Sequence, residues 1–143
     1  MIELDAPILP WKGLGGIKLY SHISQFYDLI EQSDSEPILI GKFLIRYEIK
    51  DSVYLWFNIM NGKLFKITAL KNYKGKLFDK IGIGMHIDEV LQHEPSFIYD
   101  DFEEVYCSPK GVFIETHPVT HSVLWISVYI EELENDDFEK GNW

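Results

Sequence analysis

The chain of 143 residues has one cysteine, Cys107, so no internal disulfide can form. This sets aside a disulfide-stapled secreted scaffold and fits a reducing cytosol. Long apolar runs are missing too: the longest, around Val123–Ile130, is interrupted by Ser127 and falls far short of the roughly 20 residues of a membrane helix. The opening Met1-Ile2-Glu3-Leu4-Asp5 carries acids where an export signal would carry basic residues, and a cytoplasmic location without membrane contact is the expectation. Catalytic signatures are absent as well. Neither Gly-x-Ser-x-Gly nor a phosphate loop occurs, and Gly13, Gly15 and Gly16 lack the preceding strand and following lysine of a phosphate cradle.

Positive charge is scarce in the second half. Residues 1–75 hold 8 acidic and 9 basic side chains, against 15 acidic and 4 basic in residues 76–143, so the net charge of −10 belongs to the second half. Such a field repels a phosphate backbone, and Lys and Arg form no stripe, which argues against nucleic acid as partner. A one-sided acidic field steers association with a basic protein instead.

What is present is ample core material. Hydrophobic residues make up 46% and aromatics 15% of the chain, enough to offset chain entropy in one domain spanning 1–143. After an irregular opening loop, Ser21 is a suitable N-cap for a helix whose Ile23, Phe26, Tyr27, Leu29 and Ile30 share one face, ended by Ser33-Asp34-Ser35-Glu36-Pro37. Three strand candidates follow, Ile38–Ile49, Val53–Ile59 and Leu64–Leu70, with Asn61-Gly62 as a hairpin signal.

The second half repeats this order. Ile87, Val90 and Leu91 mark a short helix closed by Pro95, and strand candidates lie near Glu103–Cys107, Val112–Glu115 and Val123–Ile130. The expected class is α+β: antiparallel sheet from two helix-then-three-strand units, a pseudo-repeat of 14–72 and 79–133, with the helices on one face. The acidic tail, 131–143, is too charged for a core and reads as a frayed, solubilising end.

Strand alternation separates an inner from an outer row. Val53, Leu55, Phe57 and Ile59 read as inward, as do Leu124, Ile126, Val128 and Ile130, and Cys107 as an inert inward thiol. The outer rows combine Tyr54, Trp56, Tyr106, Trp125 and Tyr129 with Glu48, Glu104, Glu115 and Glu131. Together with Asp100, Asp101 and Glu103, these aromatics and carboxylates are the candidate partner-binding surface, since Trp and Tyr dominate interface hot spots and charge sets the association rate.

Other chemistry is thin. His117 and His121 have the spacing of a metal pair, but Pro118 between them opposes the helix such a pair needs, so no metal and no cofactor is expected. Asp100, Asp101, His117 and His121 around a cleft would be the acid–base or metal set of an alternative small enzyme or ligand-binding domain, and a structural adaptor is a third class.

The stretch Gly82-Ile83-Gly84-Met85-His86-Ile87-Asp88-Glu89-Val90-Leu91, followed by strands, resembles the helix-plus-meander unit of the beta-lactamase inhibitor protein and its relatives. The whole chain, small, acidic, rich in outward aromatics and without a catalytic motif, is similar to immunity proteins encoded beside bacterial contact-dependent growth inhibition and other polymorphic toxins. That resemblance implies a non-enzymatic protein whose partner is a cognate basic toxin domain, often a nuclease, with its active site masked by the acidic surface.

Overall fold

The computed structural model describes residues 1–33 and 36–143. A small hairpin, β1 (Gly13–Leu14) and β2 (Ile17–Lys18), precedes a 3-10 turn (Ile23–Phe26) that runs into a helix of barely more than one turn, α1 (Tyr27–Glu31). Then come β3 (Ile38–Ile40), β4 (Leu44–Ile49), β5 (Val53–Asn58) and β6 (Leu64–Ala69), a second short helix α2 (Ile87–His93), and β7 (Ile98–Asp100), β8 (Val105–Ser108), β9 (Val112–Thr116) and β10 (Val123–Tyr129). The last eight strands form one antiparallel sheet in the order β3-β4-β5-β6-β10-β9-β8-β7.

The expected α+β class and its helix-then-three-strand units are therefore corrected: the protein is mostly β, and each short helix precedes a four-strand meander. Both missed strands are three-residue edge strands, too short to show alternation. Gly41, at φ 66°, turns the chain inside what reads as one run from Ile38 to Ile49. In the second half the corresponding turn is Asp101–Glu104, where Glu104 takes a φ of 58°.

The first helix is shorter than its apolar spacing suggests, and His22, in place of Ser21, caps the 3-10 turn that leads into it: His22 Nδ1 accepts from Ser24 N at 3.1 Å. His86 caps α2 in the same way, accepting from Asp88 N at 3.1 Å. Of the expected stop signal, Asp34 and Ser35 lie outside the described residues.

One hydrophobic cluster joins Val53, Leu55, Phe57, Ile67, Ile114, Ile126 and Val128 from the sheet with Leu14 and Ile17 from the first hairpin and Ile87 and Val90 from α2. Phe26 reaches the same face, its ring 5.7 Å from Phe57. The inward reading of Val53, Leu55, Phe57, Ile126, Val128 and Ile130 matches their near-complete burial. Ile59 does not follow, being exposed just beyond the end of β5. A register shift between Val123 and Trp125 also turns Val123 into the core and leaves Leu124, expected inward, only half-buried.

The acidic tail is folded back, not frayed. It makes two 3-10 turns, Glu131–Glu134 and Phe138–Lys140, and buries Phe138 between Trp143 (stacked, centroids 5.5 Å apart) and Phe65 (edge-on, 4.9 Å). Asn58 Nδ2 donates to the carbonyls of Phe138 and Glu139 at 3.1 and 3.2 Å, and Asn61 Nδ2 donates to that of Gly141 at 3.1 Å. All of the tail acids but Glu132, which is half-buried against Tyr20, are exposed while two rings anchor the segment, so high charge in this stretch did not forbid docking.

Candidate ligand groove on the outer sheet face

Register places the outer face residue by residue. Arg46 stands opposite Trp56, Trp56 opposite Lys66, and Lys66 opposite Tyr129. One step along, Tyr54, Thr68, Ser127, Phe113 and Cys107 form the next row across five strands. The middle of that row is small. Thr68 and Ser127, on the two central strands, leave a trough between the rings of Trp56 and Phe113, closed at one end where Tyr54 and Trp125 meet edge-on with centroids 5.9 Å apart. The resulting groove, of about 490 Å³, touches seven neighbouring strands from β4 to β7.

Its floor is a hydrogen-bonded chain. Trp56 Nε1 donates to Thr68 Oγ1 at 3.1 Å, and the Thr68 and Ser127 hydroxyls share a bond of 2.8 Å. Both hydroxyl residues are buried, and a buried hydroxyl without a partner would cost about 1–3 kcal/mol.

Two cations lean on the rings. The Arg46 guanidinium lies 4.1 Å from the Tyr54 centroid and 5.2 Å from that of Trp56. Lys66 Nζ sits 3.8 Å from the Trp56 centroid and 5.6 Å from that of Phe113, between an indole and a phenyl ring. Among the described residues, Lys66 has no carboxylate oxygen within 4.0 Å. Burial holds the Lys66 ammonium down to about 8; the attraction of Glu115 pulls it back up and Arg46 pushes it further down. Glu115, across the groove, is pushed up by burial and drawn partly back by Lys66. The opposite charges feel each other without touching.

Of the residues expected to bind a partner, Tyr54, Trp56, Asp100, Glu103, Glu115 and Trp125 line this groove. Asp101 and Glu104 are exposed on the β7–β8 turn outside it, and Glu131 is exposed where the tail begins. Tyr129 is on the groove face but only 7% exposed, stacked on Phe113 at 4.5 Å and met edge-on by Trp11 at 5.4 Å. Tyr106 is a correction: it packs against the core, its ring 4.9 Å from Tyr99, while Val105 and Cys107 face the groove. The turn at Pro109–Gly111 sets Ser108 opposite Val112 and hence Cys107 opposite Phe113, which fixes this parity. Burial, reinforced by Asp100, pushes the Cys107 thiol up, away from nucleophilic character.

Sequence reading passed over Arg46, Lys66, Thr68, Phe113, Ser127 and Glu134 as site residues. Extending the alternation test to Leu64–Ala69 and Val112–Thr116 would have put Lys66, Thr68 and Phe113 beside the outer aromatics.

The histidines serve loops. His117 Nδ1 accepts from Val119 N and Thr120 N at 3.1 and 3.2 Å, and the His121 ring meets His86 at 6.3 Å. Neither lines the groove with Asp100. Among the described residues no group of three or more His, Cys, Asp or Glu is placed to hold a metal ion. No helix among them is long and apolar enough to cross a membrane.

No family model and no curated protein matches the chain. A solved structure, that of a cysteine-rich secretory protein from Staphylococcus aureus subsp. aureus Mu50, is similar over 92% of this chain with a TM-score of 0.54 and 13% identity. The chain spans about half of that protein, 51% of its length. At such identity the likeness is one of fold alone.

Proposed function

We propose that this protein is an inhibitor or immunity protein that captures a basic protein partner, a toxin domain such as a nuclease, and covers its active site. The observation that carries this reading is the β7–β8 turn. Phe102 is 91% exposed at its tip, with Asp100, Asp101, Glu103 and Glu104 on both sides in sequence. Asp100 Oδ1 accepts from Phe102 N at 2.9 Å and Glu103 N at 3.1 Å, and Glu104 N donates to Asp100 O at 2.8 Å, so the display is locked by its own hydrogen bonds. An apolar ring held rigidly among carboxylates suits a basic surface: the charges speed encounter and the ring, once desolvated, slows release.

The test is to co-express the chain with the products of its neighbouring genes and to measure association at two salt concentrations. Tight binding whose on-rate falls as salt rises supports the reading. Phe102→Ala is expected to speed dissociation, and Asp101→Asn with Glu104→Gln to slow association. Capture indifferent to all three substitutions, or no partner among the neighbouring products, overturns it.

A further inference from the structure

We propose that the groove is a receptor for a small zwitterionic ligand of peptide type, with its carboxylate at the Lys66 and Arg46 end, its cationic groups toward Glu115 and Asp100, and an aromatic body between the rings. This goes beyond capture at the β7–β8 turn and does not depend on it.

The charges set the class. Arg46, Lys66 and Glu115 all line the groove, and among the described residues none makes a side-chain hydrogen bond or an ion pair; the two cations lie over ring faces. A purely structural role would have paired Lys66 with Glu115, because a partly desolvated charge costs free energy until it finds a counter-charge. Here the two stand apart across a trough of buried hydroxyls, so a ligand bearing both signs can satisfy each.

A plain anion would meet the carboxylates of Asp100, Glu103, Glu115 and Glu134, and a plain cation would meet Arg46 and Lys66. Four carboxylates against two cations further select a ligand with more positive than negative groups. The volume of about 490 Å³ falls within the roughly 300–1,000 Å³ of small-molecule sites, and rings on both walls supply the apolar surface such sites use.

The probe is the dipeptide Lys-Phe with free ends, titrated while tryptophan fluorescence, to which Trp56 and Trp125 of the groove contribute two of the four rings, is followed. Two relatives each lack one element: Lys-Phe amide has no carboxylate, and Glu-Phe reverses the side-chain charge. Lys-Phe is expected to bind at least about tenfold more tightly than either. Lys66→Met should erase the preference for Lys-Phe over its amide, and Glu115→Gln should narrow the preference over Glu-Phe, with circular dichroism confirming that both variants fold. Equal binding of all three peptides, or no response to Lys-Phe at about 10 mM, overturns the proposal. Capture of a partner protein is a separate readout, so either result stands whatever the other shows.

Discussion

Gly62 and His121 occupy the same backbone position in the two halves of the protein. Each is left-handed, at φ 70° and 59°, and each N–H donates to the residue four earlier, Asn58 O at 2.8 Å and His117 O at 2.9 Å. Each carbonyl accepts from the residue after a helix-capping histidine, Ile23 N at 2.8 Å and Ile87 N at 2.9 Å. The turn His117–Ser122, which in sequence invites thoughts of metal, is thus built like the turn Asn58–Lys63.

The pair differs in what a side chain costs. A Cβ on Gly62 would stand 2.5 Å from His22 Nε2, and the left-handed conformation adds roughly 1–2 kcal/mol for a non-glycine residue. Gly62→Ala is therefore expected to lower stability by more than about 1 kcal/mol in urea unfolding. His121→Gly relieves the same conformation and is expected to leave stability unchanged or slightly raised, since the entropy that glycine loses on folding, about 0.5–1 kcal/mol, works against the gain.

Lys66 links the groove to pH. An unfolded lysine titrates at about 10.4, whereas folding holds Lys66 at about 8. Between these values the unfolded chain carries more protons, so this group makes stability rise with pH across that window, and its cost is complete below it. Lys66→Met should accordingly melt above the parent at pH 7, with the gap closing from about pH 8 to 10. A gap that is constant across this range would mean that Lys66 is not desolvated.

Tyrosines act in the opposite sense. Burial, aided by Glu132, whose Oε1 accepts from the hydroxyl at 2.5 Å, pushes Tyr20 up to about 12, and burial pushes Tyr129 up to about 12. With an unfolded value near 10, both contribute stability that is whole below about pH 10 and lost as pH climbs toward 12. Of the 8 tyrosines, at least these two should ionise late in an absorbance titration. Tyr20→Phe should remove one late-titrating ring.

The tail is predicted to be structural. Asn58 is fully buried, donating to two tail carbonyls while its Oδ1 accepts from Met60 N at 2.8 Å. Asn58→Ala should cost about 2–3 kcal/mol by leaving those groups unpaired. Removing residues 136–143 should uncover Phe65, lower the thermal midpoint and raise dye binding to exposed apolar surface.

How much of this was legible follows from what alternation can carry. In β5 and most of β10 the buried row is unbroken, and inward and outward faces are plain from residue type. Where strands shrink to three residues, as at Ile38–Ile40 and Ile98–Asp100, no period exists to detect, so two strands and with them the fold class were missed. Tyr106 misled because its strand carries small apolar residues on one row and an amphipathic ring on the other, a pattern that fits either orientation until the partner strand fixes it. Lys66 reads as an ordinary surface lysine, and only the approach of Trp56 and Phe113 from other strands makes it part of a site.

Within the sheet the two meanders meet along one seam, the four residue pairs from Ile126–Ala69 to Tyr129–Lys66, and the Thr68–Ser127 hydroxyl bond lies on it. With Trp56 on one meander and Phe113 on the other, any hinge at this seam would change the spacing of those rings while leaving both meanders intact. An occupant of the trough would thus act as a rivet, stiffening the whole molecule from its centre outward.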